Sequence, residues 1–343
     1  MPTSMKAVRL HRFGGPEVLR YEDVPVPVVA PGEVLVRVHT IAVNPPDWYL
    51  RAGYRDAGLP DGFIPPIELP AIPGSDISGV VTAVGDDVER FARGDEVFGM
   101  VRFPSFGDSA AYAEYVAAPA GDLALKPADV THQHAAASSM SGLTAWQFLV
   151  DVGHREPNPL QSHRHEPVAL RGRRVMVNGA AGGVGHIGVQ LAKWKGAHVI
   201  AVASGRHEQF LRDLGADEFV DYTRNRPENV VRDVDLVFDT VGGPQSNRFL
   251  PTIRRGGALY PCFFGFDDHE QAAQRGVTVS ATQVRSDGVQ LAVIARLLAD
   301  GDVRIAIDGT YPLSDAAAAH SRAERGHLRG KLVLTPTGDE ART

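Results

Sequence analysis

Cysteine is nearly absent from this 343-residue chain, with Cys262 the only one. A single thiol forms no internal disulfide, and it excludes a structural zinc lobe built on four cysteines. No apolar run approaches the ~20 residues of a membrane helix. The N-terminus also has no signal-peptide core. A reducing, cytoplasmic setting without a membrane partner is therefore expected. A basic excess is missing as well: 35 Lys and Arg stand against 41 Asp and Glu, a formal net charge of -6. Nucleic acid is gripped through a basic face, and here the basic residues are mostly scattered Arg, so no nucleic-acid partner is expected.

What is present is an ordinary globular composition, 43% hydrophobic and 22% charged, on a chain too long for one core, since cores stop growing near ~250–300 residues. The first third reads as short strands. Val34–His39, Val80–Val84 and Gly94–Gly99 are apolar runs punctuated by Pro25-Val26-Pro27 and Pro65-Pro66, a spacing that predicts a partly closed barrel. The middle changes to alternating strand and helix: Arg174–Asn178, a helix over Val184–Lys195, His198–Val202, a helix through Phe210–Leu214, then Glu218–Asp221, Val234–Phe238 and Gly257–Tyr260. Repeated units of this kind predict a parallel sheet with helices on both faces. An Ala-rich helix over Ser314–Arg325 and a strand at Leu332–Leu334 close the series; this tail is expected to fold back onto the first domain.

Between the first strand and first helix of the middle section lies Asn178-Gly179-Ala180-Ala181-Gly182-Gly183-Val184-Gly185. It reads as A-x-G-x-x-G, a dinucleotide fingerprint with Ala180 in place of the first glycine. Small residues let the backbone approach a pyrophosphate, and the following helix aims its first amides and dipole at the charge. A bare glycine motif is weak, but strand, loop, helix and next strand all fall in place here. About twenty residues on, an NAD site would carry Asp or Glu for the ribose 2′-hydroxyl. This chain has Ala203-Ser204-Gly205-Arg206-His207. With no carboxylate to repel a 2′-phosphate, and with Ser204 and Arg206 to hold it, NADPH is the expected cofactor. The alternative is that Arg206 only begins a surface helix.

These residues carry a resemblance. Gly182-Gly183-Val184-Gly185 with Gln190 and Lys193, Phe13–Leu19, Asn44–Gly53, Pro73-Gly74-Ser75-Asp76, Gly142-Leu143-Thr144-Ala145, Leu214–Asp217 and Gly330–Val333 resemble, in order, the quinone-oxidoreductase and zeta-crystallin-like branch of the medium-chain dehydrogenases. The resemblance implies an α/β chain with a GroES-like β-rich catalytic domain (residues 1–128 and 306–343) and a doubly wound Rossmann domain (residues 129–305), with the active site between them. It further implies that Asn44, Thr144 and Lys331 lie near the nicotinamide half or the phosphates of the cofactor, alongside the Ala181–Gly185 loop. Ser204, Arg206 and Tyr222 would surround the 2′-phosphate, and Val241, Gly242, Phe263 and Phe264 would line the nicotinamide end. A homodimer is common in the family. The implied reaction is hydride transfer from NADPH to a quinone or an α,β-unsaturated carbonyl. A polyketide-type enoyl reductase and a non-catalytic NADPH-binding protein are the alternatives.

Zinc-dependent relatives carry Cys at the position of Asn44 and a His-Glu pair at Ser75-Asp76, so this chain lacks two ligands and is expected to bind no metal; a catalytic zinc needs three protein ligands. His163-Arg164-His165 lies in the unpatterned stretch His154–Pro167, where a solvated loop is expected. Tyr49 and Asn44 are the candidate catalytic residues. Tyr49 acts either as a hydrogen-bond or proton donor to the substrate oxygen or only as a pocket wall. Trp48, Phe63 and Phe106 are candidates for an aromatic wall or for core. Asp47 and Arg51 are spaced to pair across a helical turn. His132 and His134 read as surface residues.

Overall fold

The computed structural model describes residues 2–55, 59, 62–105, 108–159, 161 and 164–336. The chain opens with a hairpin, β1 (Ser4–Leu10) antiparallel to β2 (Leu19–Pro25). The following strands β3 (Glu33–Ala42), β4 (Asp76–Val84), β5 (Glu96–Met100), β6 (Tyr115–Pro119) and β7 (Leu123–Leu125) pair antiparallel around β3 and β4. Between β3 and β4 sits the short helix α1 (Pro45–Arg51). Pro45 and Pro46 suit its first turn because the missing N–H groups would have no helical acceptor there.

Helix α2 (His132–Leu149) is buried from Ala135 to Leu149 with no polar stripe, the mark of a helix enclosed on every side. It packs against β3, β4 and β5 on one side and against the nucleotide-domain helices on the other. Its small residues at Ala135–Ala137 and Ser138-Ser139 let both layers approach closely.

Beyond it runs the parallel sheet: β8 (Arg174–Asn178), β9 (His198–Ala203), β10 (Glu218–Asp221), β11 (Val234–Asp239), β12 (Ile253–Pro261) and β13 (Thr278–Val279), in the order β10-β9-β8-β11-β12-β13. This is the doubly wound order, which reverses direction between β8 and β11 and leaves a crevice at their carboxyl ends. Val175, Met176 and Val177 are fully buried, as a parallel strand covered on both faces must be. Helices α3 (Gly183–Trp194), α4 (Glu208–Asp213), α5 (Pro227–Val230), α6 (His269–Arg275) and α7 (Gly288–Ala299) accompany it. The chain then returns through β14 (Ile307–Pro312), α8 (Ala316–Glu324) and β15 (Lys331–Thr335), and β15 pairs antiparallel with β3. The α/β architecture of a GroES-like β-rich unit and a Rossmann sheet expected from the sequence is the one observed. Among the described residues, no helix is long and apolar enough to cross a membrane.

Candidate active site and cofactor cleft

A cleft of about 790 Å³ runs along the carboxyl ends of the parallel strands and under α1. Its centre is the turn after β8. Gly179 has φ +71°, and a Cβ there would meet Thr240 Oγ1 at 2.7 Å, so both backbone and space demand glycine. Gly182 caps α3 without any side-chain hydrogen bond, and a Cβ on it would meet only Gly179 O, at 3.3 Å. The first amides of α3 thus face an open cradle whose depth depends on the missing side chain. That arrangement fits a pyrophosphate, which takes amide donors and the positive end of a helix dipole. Gly185 serves packing, since a Cβ there would lie 2.2 Å from Gly179 O. Ala181, Gly183 and Val184 line the cleft; Gly185 does not.

The two strands flanking the crevice are tied at their ends. Asn178 Nδ2 donates to Asp239 Oδ1 at 2.7 Å, and Asp239 also accepts from the Val241 and Gly242 amides and from Ser246 Oγ. Val241, Phe263 and Phe264 reach the cleft, whereas Gly242 stands behind them against the Phe263 backbone. A bridge joins Gly182 to Gly330, and Gly330 N donates to Ala181 O at 2.8 Å. The loop before β15 is thereby fastened to the glycine-rich turn, which puts Lys331 in the cleft.

Lys331 is only 4% exposed. Its ammonium donates to Val43 O at 2.8 Å and to Asn44 Oδ1. Asn44 Nδ2 donates in turn to Asp76 Oδ2 at 2.9 Å, and Asp76 accepts from the Met140 amide. A carboxylate on one side and a cation on the other fix which way the Asn44 amide points. Burial pushes Asp76 up to about 6, against the opposing pull of Lys331 and Asn44. Burial also pushes the Lys331 ammonium down, while Asp76 and Asp47 hold it up. Thr144, which lines the cleft beside this cluster, donates its hydroxyl back to Met140 O at 2.7 Å.

Asp47 does not pair with Arg51. It accepts from the Asn44 amide at 2.8 Å and from Tyr112 Oη at 3.0 Å, and burial lifts it to about 7. Tyr112 Oη lies 3.0 Å from His320 Nε2, and Arg51 Nη1 lies 3.2 Å from His320 Nδ1. Burial and the neighbouring Arg51 push His320 down to about 3, so it is neutral. The donors then run one way: Arg51 to Nδ1, Nε2–H to Tyr112, Tyr112 to Asp47. The helical spacing of Asp47 and Arg51 gave no sign of this, because both partners arrive from distant segments.

Tyr49, on α1, is half-buried in the cleft. Its ring lies 5.4 Å from Phe263, and Phe63 and Trp48 complete the wall with Phe264. Its hydroxyl makes no hydrogen bond among the described residues, and burial pushes its pKa up, so it stays protonated. Phe106 lies outside the described residues.

At the far end, Ser204, Tyr222, Arg226, His207 and His327 line the cleft. Arg206 does not: its exposed guanidinium donates to His327 O at 2.7 Å and to His207 Nε2 at 3.1 Å. Arg226 and His327 carry no motif of their own in the sequence, although His327 lies three residues before the Gly330-Lys331 pair.

The stretch expected to be a solvated loop is irregular and mostly exposed over its described residues, but it is pinned at a few points. His165 is 1% exposed and bridges Ser280 Oγ at 2.7 Å and Phe148 O at 3.0 Å. Gln161 Oε1 accepts from the Ala281 amide, and Asn158 and Gln161 line the cleft. His163 lies outside the described residues. His132 and His134 are half-buried rather than surface groups, with His132 held by Ser78 and Glu96. Among the described residues, no cluster of three His, Cys, Asp or Glu is arranged to hold a metal ion.

Comparison with known proteins agrees with this geometry. Residues 30–128 match the alcohol dehydrogenase GroES-like domain, and residues 214–334 match a family described as zinc-binding dehydrogenase. The chain is 32% identical to the mouse (Mus musculus) mitochondrial NAD(P)H oxidoreductase RTN4IP1, over 97% of this chain and 89% of that protein. It superimposes on the quinone oxidoreductase of Coxiella burnetii with a TM-score of 0.82 and 31% identity, covering 97% of this chain and 99% of that one. A mycobacterial relative, Rv1454c, solved in complex with NADPH, gives a TM-score of 0.79 and 30% identity over 97% of this chain and 100% of that one. With the doubly wound sheet, the capless glycine turn and this similarity along nearly its whole length, the chain belongs to the zinc-free quinone oxidoreductase branch of the medium-chain dehydrogenase/reductase superfamily.

Proposed function

We propose that this NAD(P)H-dependent oxidoreductase uses NADPH to reduce quinones and activated alkenes, and that it does so without zinc. The observation that carries the reading is the Tyr49 hydroxyl, free of hydrogen bonds among the described residues, in an aromatic-walled cleft beside an Asn44 amide locked by Lys331 and Asp76. Bound NADPH supplies the hydride. Trp48, Phe63, Phe263 and Phe264 hold a flat conjugated ring and keep water out. A quinone or enone moves the incoming charge through its own conjugation to an oxygen, so that oxygen needs hydrogen-bond donors rather than a Lewis acid. Tyr49 Oη–H is such a donor. Where zinc-dependent relatives carry metal ligands, the Lys331 ammonium stands against Asn44 beside Asp76, and a cation in that place repels a second one.

Ala181–Gly185 form the pyrophosphate turn in this reading. Thr144 and Lys331 flank the nicotinamide half with Val241, Gly242, Phe263 and Phe264. Ser204, Arg206 and Tyr222 belong to the 2′-phosphate end, Arg206 from behind. Residues 1–128 with 306–343, and residues 129–305, are the two domains; the β15–β3 pairing supports that division. A homodimer in the cytoplasm completes the reading, supported by the resemblance and the single, half-buried Cys262.

Stopped-flow NADPH oxidation against a panel of quinones, enones and ketones tests it. Quinones or enones should turn over, and Tyr49→Phe should slow them by ~10²–10³ without weakening NADPH binding, the usual cost of one oxyanion donor. Faster oxidation of simple secondary alcohols with NADP⁺ than reduction of any quinone or enone would refute it. NADPH binding without any turnover would make the chain a binding protein.

A further inference from the structure

A second, much smaller cavity adjoins the cleft at α1. It measures about 10 Å³, just room for one water. Tyr54, Phe103 and Ser105 line both spaces, whereas Asp47, Gly74 and Ser75 line only the small one. Asp47 is 2% exposed, yet no cation touches its carboxyl. Arg51, one turn on, directs its guanidinium to Gly14 O, His320 and Glu324. The Lys331 ammonium sits on Val43 O and Asn44 Oδ1. The two donors that Asp47 does receive, the Asn44 amide and Tyr112 Oη, both fall on Oδ2. Oδ1 has no hydrogen-bond partner among the described residues. A carboxyl taken out of water without a contacting cation is driven to its neutral form. Oδ1 is then the oxygen left to carry the proton, beside a cavity whose walls offer a water the polar side chains of Ser75, Ser105 and Tyr54.

Tyr54 stands between the two spaces in an unusual backbone conformation. Its φ is +56°, a region that a bulky residue occupies only where its surroundings hold it there. Its amide donates to Tyr49 O at 2.7 Å, and its ring lies 6.4 Å from the Tyr49 ring, so both phenols belong to one wall of the cleft. Burial and, after it, the charge of Asp47 push the Tyr54 phenol up. It therefore stays protonated, within electrostatic reach of the carboxyl. The other charged or titratable groups facing Asp47 are Asp76 on β4, Lys331 on β15 and Tyr112 ahead of β6, with His320 and Arg51 behind Tyr112. Burial raises Asp47 most and Asp76 adds to it, while the Asn44 amide, Tyr112 and Lys331 oppose them. The balance lies at about 7.

We propose that Asp47 stores the proton that completes each reduction, and passes it through one water in the small cavity and the Tyr54 hydroxyl to the substrate oxygen. The proposal rests on the reductase reading above. A hydride brings the substrate two electrons and one hydrogen, so the product still lacks a proton. In the step, the cofactor's C–H bond breaks and its electron pair enters the conjugated system of the substrate. The charge arrives on the carbonyl oxygen, which forms its O–H bond with the Tyr54 proton. Tyr54 regains a proton from the water, and the water regains one from Asp47 Oδ1. The Asp47 carboxylate is the one charge left behind, and it takes a proton from solvent once the product has left. A reduced quinone is a phenol, whose oxygen holds a proton about as tightly as tyrosine, with a pKa of ~10. Transfer from a carboxyl at about 7 to that oxygen runs downhill.

The test is the turnover of NADPH with unsubstituted benzoquinone by the full chain, followed from about pH 5.5 to about pH 9. In the wild type kcat should fall as the pH rises through about 7, where Asp47 loses its proton. Asp47→Asn keeps an accepting oxygen for the Asn44 amide and Tyr112 but has no acidic proton. Tyr54→Phe cuts the path and leaves Asp47 in place. At about pH 6 each variant should turn over ~10²-fold more slowly, the usual worth of a positioned acid, and its profile should be flat. The loss should shrink with a tetrahalogenated benzoquinone, whose hydroquinone is acidic enough to leave as the anion. Unchanged NADPH binding shows that the variants fold. If Asp47→Asn fails that control, Tyr54→Phe decides alone, and full turnover by it overturns the proposal. A flat wild-type profile, or variants that slow both quinones alike, also overturns it and leaves the reductase reading standing. No turnover of any quinone or enone by the wild type means instead that the reductase reading has failed, and the proposal with it.

Discussion

Replacing Lys331 with Met removes an ammonium from the floor of the cleft while keeping most of its stem. In the wild type that ammonium satisfies Val43 O and Asn44 Oδ1 and acts on the fully buried Asp76. Asp76 is raised from 3.8 to about 6 even with the lysine present, and at ~1.36 kcal/mol per unit its ionisation already costs the fold about 3 kcal/mol. A raised carboxyl binds its proton more tightly in the folded chain. Its contribution is favourable below about pH 4 and is lost as pH rises through about 6. Without Lys331 the carboxyl moves higher still, so the loss continues upward in pH. At pH 8 the substitution should destabilise by ~3–5 kcal/mol, as for a buried pair that loses one partner. At pH 5 Asp76 is mostly protonated, and only the unpaired Asn44 and Val43 oxygens remain, ~1–3 kcal/mol. Urea denaturation followed by tryptophan fluorescence at the two pH values measures the difference, and Lys331→Met/Asp76→Asn should recover much of the loss at pH 8. Equal destabilisation at pH 5 and 8, or a double variant no better than the single one, would refute the idea that Lys331 compensates Asp76.

The glycine turn offers a contrast within one loop. Gly185→Val should unfold the nucleotide domain or abolish cofactor binding, because its Cβ would sit 2.2 Å from Gly179 O, a backbone atom that cannot yield. Gly183→Ala should be milder for the fold, since its nearest obstacle is a side chain, the Lys331 stem at 2.8 Å, rather than backbone, but it must shift a lysine held on Val43 O and Asn44 Oδ1; thermal denaturation and NADPH titration separate the two. Protein purified without a metal-binding tag should hold less than stoichiometric zinc and keep its turnover after dialysis against a chelator. Activity lost on dialysis and restored by zinc would show that metal independence is wrong.

The sequence by itself determined what depends on neighbours along the chain. Strand, glycine turn and helix at Arg174–Trp194 follow from a local apolar run, the small residues after it and the apolar face of the next twelve positions. The alternation that continues to β12 prescribes a parallel sheet because no other packing buries such strands on both faces. Asn44, Tyr49 and Lys331 were also legible as candidates, through motifs that survive translation along the chain. What only the tertiary structure decided are the partners. Asp47 spaced four from Arg51 reads as a helix pair, yet Tyr112 and His320, which lie 65 and 273 residues from Asp47 in the sequence, intervene once β-rich unit and α8 pack together. Arg206, read from its place after β9 as a phosphate ligand, has its guanidinium on the His327 carbonyl, a partner that arrives only when the loop before β15 crosses over. His165 looked solvated until Ser280 and the Phe148 carbonyl closed on it. Periodicity reports which face of an element is buried, but a buried polar group takes whichever partner the packing delivers, and its cost if left unpaired is set by contacts no local pattern contains.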